Sequence, residues 1–211
     1  MQLGNRFFRC WKAEGHGSLT LEQAIASSCD VYFYQLGLRL GVTNVVEDGV
    51  RFGFHERTDV DLPGELVPAY PTSREYYDRL YGRGRWSDVS GIAMNLAIGQ
   101  GENAQTLINM VRFYAALSNG GHFVTPHVVD RRGAPRPPVE LPDSTFAGIR
   151  RALIAVVERG TAHAVRLDRI QMAGKTGTAQ NPHGLDHGWF IGFAPAENPT
   201  IVVGAIMEFA E

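Results

Sequence analysis

The chain has 211 residues, 44% hydrophobic and 20% charged, the balance of a globular domain able to bury one core. A formal net charge of -2 and a pI near 6.4 offer no phosphate-neutralising face, so nucleic acid is excluded as an expected partner. The uncharged run from Ser90 to Gly101 is too short and too polar to cross a bilayer, Met1 is not followed by a signal-type apolar core, and two cysteines cannot build a disulfide framework.

The first predicted element begins at Thr20-Leu21-Glu22-Gln23, a capping box in which the Thr20 hydroxyl and the Gln23 side chain each satisfy the other's free amide. A short helix into Ser27 follows. DVYFYQLGLRLG predicts a second helix ended by Gly41, and VTNVVEDGVRFGF a third. Residues 55 to 88, with Pro63, Pro68, Pro71 and several glycines, read as a long irregular connection, which in a compact domain is usually functional or mobile. GQGENA, residues 99 to 104, fits the G-x-G-x-x-A turn of dinucleotide-binding proteins. No parallel strand pattern surrounds it, and no acidic residue lies near position 121 to hold a ribose, so as a cofactor signal it is weak. Ala104 to Asn119 predicts an amphipathic helix stopped by Gly120-Gly121, and Ser144 to Arg159 another, with the Pro-rich turn RRGAPRPP between them. The tail is different. IQMAGKTGTAQ, GWFIGFAP and TIVVGAIMEF are short apolar stretches separated by NPHGLDH and AENPT, both rich in turn residues. Consecutive strands joined this way form an antiparallel meander, and the helices before them make the fold class α+β, an antiparallel sheet packed with helices.

Three groups of residues carry chemistry. Lysine is scarce: of 20 basic residues only Lys12 and Lys175 are Lys, and Lys175 falls within MAGKTGTAQ on the first strand of the meander. Gly174 and Gly177 flank the Lys175-Thr176 pair without side chains, so an extended substrate backbone can lie along this edge; taken alone, the same run fits a glycine-weakened surface strand. Ser28-Cys29-Asp30 sets a hydroxyl and a carboxylate two residues apart where two predicted helices meet, which alone fits a helix cap. Cys10, His16 and Cys29 are zinc's preferred donor types, but their spacing matches no compact zinc finger, and two semi-buried thiols beside a loop histidine fit as well. The other histidines are scattered, and His187, close to Trp189, reads as structural rather than as a base.

Ser28, the first residue of the Ser28-Cys29-Asp30 run, lies 147 residues before Lys175, with a helix-rich insert between and a β meander after. That order resembles the penicillin-interacting transpeptidases and serine β-lactamases, whose signatures are S-x-x-K, S-x-N or S-D-N, and K-T-G. RCWKAEGHGSLTLEQAIASSCDVYFYQLG, NLAIGQGENAQTLINMVRFYAALSNGG and MAGKTGTAQ with GWFIGFAP resemble class B penicillin-binding proteins, in particular the penicillin-binding protein 2 type that serves cell elongation, over nearly the whole chain.

The resemblance implies a peptidoglycan D,D-transpeptidase: a serine is acylated by a D-Ala-D-Ala stem peptide, the acyl group passes to an amine of a neighbouring stem, and β-lactams mimic the donor. It implies that Ser28 passes protons near the nucleophile, that Asp30 stands where many relatives have Asn, and that Lys175 brings positive charge to the substrate carboxylate. The hydroxyls of Thr176 and Thr178 would bind that carboxylate, Gly177 completes the motif, and the Thr178 N–H would be half of the oxyanion hole. The resemblance also makes GQGENA a loop near the active-site cleft. No cofactor is implied for catalysis, although some proteins of this subtype carry zinc in the region of Cys10, His16 and Cys29. Implied partners are stem peptides, β-lactams, cell-wall elongation proteins and a glycosyltransferase.

The nucleophile motif departs from the pattern, because the positions three before the two lysines hold Arg9 and Met172. The expectation is a transpeptidase domain over residues 1 to 211, truncated at both ends, whose parent carries the serine upstream together with an inner-membrane anchor, with this domain in the periplasm. The alternatives are a non-catalytic penicillin-binding or interaction module and a soluble β-lactamase or β-lactam sensor.

Overall fold

The computed structural model describes residues 1–85, 90–129 and 136–210. Along the chain come β1 (Gln2–Leu3), β2 (Arg6–Phe7), α1 (Leu21–Ala26), α2 (Asp30–Arg51), α3 (Arg74–Tyr81), α4 (Ser90–Ala97), α5 (Leu107–Ser118), α6 (Asp143–Arg159), a 3-10 turn (His163–Val165), β3 (Ala173–Ala179), β4 (His187–Ala194) and β5 (Ile201–Met207).

The tail forms the expected antiparallel meander in the order β3-β4-β5, with Lys175 opposite Ile191 and Thr178 opposite Gly188. Alternation decides what the sheet buries. Ala173, Ile191 and Phe193 pack with Tyr114 of α5 and Leu153 of α6 in one core, while Val156 and Val157 of α6 close on Met172 and Phe190 in another. A separate helical core joins Val46 of α2, Tyr77 of α3, and Ile92 and Leu96 of α4. The capping box at Thr20 and Gln23 is present, with both of its hydrogen bonds made.

Three predicted elements change. The second and third predicted helices are one element, α2, broken at Gly41, whose φ of 77° and ψ of 160° leave the helical region as its sequence position implied. Residues 55 to 85 are not wholly irregular: α3 forms there because Tyr77 is fully buried in the helical core. The loop before α3 is tied down from α5, where Arg112 donates to the carbonyls of Gly53 and Arg57 and Asn109 to those of Gly53 and Glu56. Helix α4 lies inside the stretch read as an uncharged run, and it crosses α2 so closely that a Cβ on Gly37 would stand 2.6 Å from the Ala93 carbonyl. Residues 131–135 of the Pro-rich turn lie outside the described residues.

The two glycines around Lys175 have different reasons to be glycine. A Cβ at Gly174 would meet the Phe190 ring at 2.8 Å and the Ile191 carbonyl at 3.0 Å, whereas at Gly177 the nearest atom, Trp189 Cβ, is 3.6 Å away. Gly174 is demanded by packing, and Gly177 leaves a surface open. Gly174→Ala is therefore expected to destabilise the fold by about 1 to 3 kcal/mol, the range for overpacking, while Gly177→Ala stays near the parent. Paired thermal melts check this, and equal losses at both positions would contradict it.

Candidate active site

Helix α1 ends in a Schellman turn: the Ser28 N–H donates to the Ile25 carbonyl at 3.2 Å and the Cys29 N–H to the Ala24 carbonyl at 3.0 Å. The residue at the left-handed position of such a turn is usually Gly. Here it is Ser28, with φ of +51°, a conformation that costs an L-residue roughly 1–2 kcal/mol. A strained non-glycine residue held in place by its surroundings is a recurring mark of functional sites. The surroundings are specific. The Trp11 indole N–H reaches the Ser27 and Ser28 carbonyls at 3.0 and 3.2 Å although the Trp11 side chain is largely exposed.

The turn directs the Ser28 hydroxyl at β3. Lys175 Nζ donates to Ser28 Oγ at 3.0 Å and to its neighbour's carbonyl, Thr176 O, at 2.7 Å. Burial pushes the Lys175 pKa down from 10.5 to about 8, against an upward pull from the Asp30 carboxylate. Asp30 opens α2, where a carboxylate also complements the helix dipole, and it acts on Lys175 through space.

Strand β3 is an edge of the meander among the described residues. Thr176 and Thr178 are two apart and so turn their N–H and C=O groups to the same side. Both carbonyls accept from groups that are not on β4, Thr176 O from Lys175 and Thr178 O from Gln100 Nε2 at 2.9 Å, so that side faces away from the sheet. The Thr178 N–H accordingly points outward as well, free of the ladder. The Thr176 hydroxyl pairs with that of Thr161 at 2.8 Å, and the Thr161 N–H donates to the Ala26 carbonyl at the end of α1.

Behind the Ser28 turn, the donor atoms of Cys10, His16 and Cys29 all lie within 4.8 Å of one another. Cys10 Sγ is 3.5 Å from His16 Nδ1, and His16 Nε2 is buried without a partner among the described residues. Burial, with the Cys10 thiol as a further contributor, raises the Cys29 pKa. The Trp11 ring meets the His16 ring edge-on, 5.3 Å between centroids, so the same tryptophan touches both this cluster and the Ser28 turn.

The structure thus brings together Ser28, Lys175 and Thr176 by direct bonds, Asp30 by its field, and Gly177 and Thr178 on the open edge. His187 Nδ1 accepts from the Phe209 N–H at 3.1 Å. Trp11, Thr161 and Gln100 were given no role by sequence reasoning. Gln100 had the one visible signal, its place between two glycines of GQGENA.

Helices packed on an antiparallel meander, with a Lys-Thr-Gly edge strand bonded to a serine at a helix junction, define a serine acyl-transfer fold of the penicillin-interacting class. The penicillin binding protein transpeptidase domain family matches residues 1–211, and the chain belongs to that family. It is 34% identical to the peptidoglycan D,D-transpeptidase MrdA of Acinetobacter baumannii over 95% of this chain and 33% of that protein. Among solved structures, Pseudomonas aeruginosa PBP2 in complex with WCK 5153 superposes with a TM-score of 0.89 at 34% identity, covering 100% of this chain and 48% of that one. Helicobacter pylori PBP2 in its complex with MreC gives 0.88 at 30% identity, covering 99% and 40%. The chain therefore spans less than half the length of these relatives.

The lowered Lys175 pKa has a signed consequence. Between about pH 8 and 10.5 the unfolded chain holds a proton on Lys175 that the folded chain has released, so this residue makes stability rise with pH across that window. With only two lysines, NMR titration resolves it directly. Lys175 is expected to titrate near pH 8, and Asp30→Asn to move that midpoint lower still. A midpoint at 10.5 would mean that the side chain is solvated rather than held against Ser28.

Proposed function

We propose that this chain is the part of a peptidoglycan D,D-transpeptidase that supplies the proton relay and the substrate edge, and that the nucleophilic serine lies on a Ser-x-x-Lys segment outside these 211 residues. The observation that carries the reading is the Lys175–Ser28 contact at 3.0 Å, which puts a cation of lowered pKa against a hydroxyl beside an outward-facing edge strand. That arrangement suits acyl transfer. The serine gives its proton to the lysine of its own Ser-x-x-Lys segment, from which it reaches the Lys175–Ser28 pair. As it does so, the serine oxygen attacks the carbonyl carbon between the two terminal D-Ala residues, and the Thr178 N–H stabilises the oxyanion that forms. Donors of this kind are worth about 2.7–4 kcal/mol in well-characterised acyl-transfer enzymes. The C–N bond then breaks, and Ser28 and Lys175 pass a proton to the departing D-Ala amine. An acceptor amine attacks the acyl-serine in turn and returns the hydroxyl. Thr176 and Thr178 hold the terminal carboxylate, with Lys175 supplying charge and Gly177 leaving room.

The relatives' names support the substrate class, and the MreC complex of the H. pylori protein supports a protein partner for the parent, whose domain we assign to the periplasm. Among the described residues no helix is long and apolar enough to cross a membrane. Incubation of the 211-residue chain with a penicillin is expected to give no covalent adduct by intact mass, since Ser28 has Val31 rather than Lys three places on. The longer protein should gain one penicillin, and Lys175→Ala should slow that acylation without unfolding it. An adduct on Ser27 or Ser28 of the short chain would overturn these roles.

Zinc fits the second cluster. Two thiols and an imidazole of which one nitrogen is buried and unpartnered are the donor set of a structural zinc site, and Cys10, His16 and Cys29 would hold three of its usual four positions. A bound zinc would serve as a brace for the Ser28 turn and would take no part in the chemistry; catalysis needs no cofactor. Protein purified without chelator should contain close to one equivalent of zinc, and Cys29→Ser should lose it. Metal-free protein with both thiols titratable while folded would end this assignment.

A further inference from the structure

The outward edge of β3 is not empty in this structure. Two of its outward carbonyls are occupied, Thr176 O by Lys175 and Thr178 O by the carboxamide of Gln100. Gln100 is presented for this contact by its own loop. Gly99 and Gly101 both take positive φ, 77° and 75°, and the Gln100 N–H is anchored to the Asn95 carbonyl at 2.9 Å, so the backbone is held while the side chain reaches across to β3.

An extended donor that pairs with this edge must use the same carbonyl. In an antiparallel hydrogen-bonded pair two residues exchange both of their backbone bonds. If the attacked carbonyl accepts from the Thr178 N–H, then the N–H of that same donor residue is directed at Thr178 O, where Gln100 Nε2 now sits. From this juxtaposition we infer that Gln100 is an intramolecular stand-in for the donor amide: it caps the edge strand at rest and must be displaced by a substrate that carries an N–H next to the reacting carbonyl. The inference rests on the transpeptidase reading above and adds a residue that sets affinity for the donor.

The test exploits two kinds of β-lactam. Benzylpenicillin has an acylamino N–H beside its lactam carbonyl and competes with Gln100 for Thr178 O. A carbapenem has a hydroxyethyl group there and does not. In the longer protein that bears the nucleophile, Gln100→Ala and Gln100→Met should each raise the second-order acylation rate with benzylpenicillin about threefold to tenfold, the size of one neutral hydrogen bond. The gain should appear in the half-saturating concentration, with the limiting rate unchanged and the carbapenem rate unchanged. The two variants differ in bulk, so agreement between them assigns the effect to the lost donor. A fall with benzylpenicillin, or the same gain with both compounds, would overturn the inference and make Gln100 a fixed support of the strand. A parent protein acylated by neither compound would remove the transpeptidase reading, and the inference with it.

Discussion

A serine in a backbone conformation that favours glycine is the constraint on which this site depends. At the end of α1 the chain must turn sharply to start α2, and the Schellman geometry requires a left-handed residue at position 28. Glycine would relieve the strain and leave no hydroxyl. With serine there, the conformational cost must be met by neighbours, and they are identifiable. Trp11 takes the two carbonyls that the turn exposes, the buried thiol of Cys29 anchors the next residue, and Lys175 holds the hydroxyl itself. Each of these also fixes the direction in which Ser28 Oγ points, so the groups that meet the strain are the same ones that give the serine its role.

The electrostatics follow from that packing. A lysine brought this far out of water loses part of its preference for the charged form, and the Asp30 carboxylate recovers only some of it. The result is an amine poised within reach of neutral pH, able to give up and regain a proton beside a hydroxyl. Arginine could not serve, because its guanidinium stays charged in proteins. The near-exclusive use of Arg elsewhere in the chain is consistent with Lys175 having been kept for its chemistry.

How much of this could be read from residues alone depended on whether the signal was local. The capping box, the meander and its order, and the Ser28, Asp30 and Lys175 set all rest on short patterns or on spacing between motifs, and the structure contains them. Helix α4 was missed because SGIAMNLA has neither charge nor a polar face, being covered by α2 where Gly37 meets Ala93. Helix α3 was missed because its neighbours are rich in Pro and Gly, and only the burial of Tyr77, a tertiary fact, makes the segment helical. Trp11 and Gln100 act through side-chain bonds to backbone carbonyls distant in sequence, a relation that no periodicity encodes. The convergence of Cys10, His16 and Cys29 lies between these extremes: the donor types were visible, but the turn that gathers them was not.

A strand edge open to pairing with an extended peptide is a template for the wrong strand as well as the right one. β3 resolves the conflict with side-chain donors. Lys175 and Gln100 satisfy the outward carbonyls of Thr176 and Thr178, which leaves the strand competent to pair while occupying two acceptors that another chain would seek. Such caps can be exchanged, because a side-chain amide and a substrate amide make bonds of nearly the same strength, and the exchange leaves no acceptor unsatisfied. The far edge, β5, is built differently. Ile201, Val203 and Met207 there are exposed apolar residues on one face of the strand. The two edges therefore differ in kind: β3 has its outward Thr176 and Thr178 carbonyls engaged by displaceable polar side chains, whereas β5 carries exposed apolar ones.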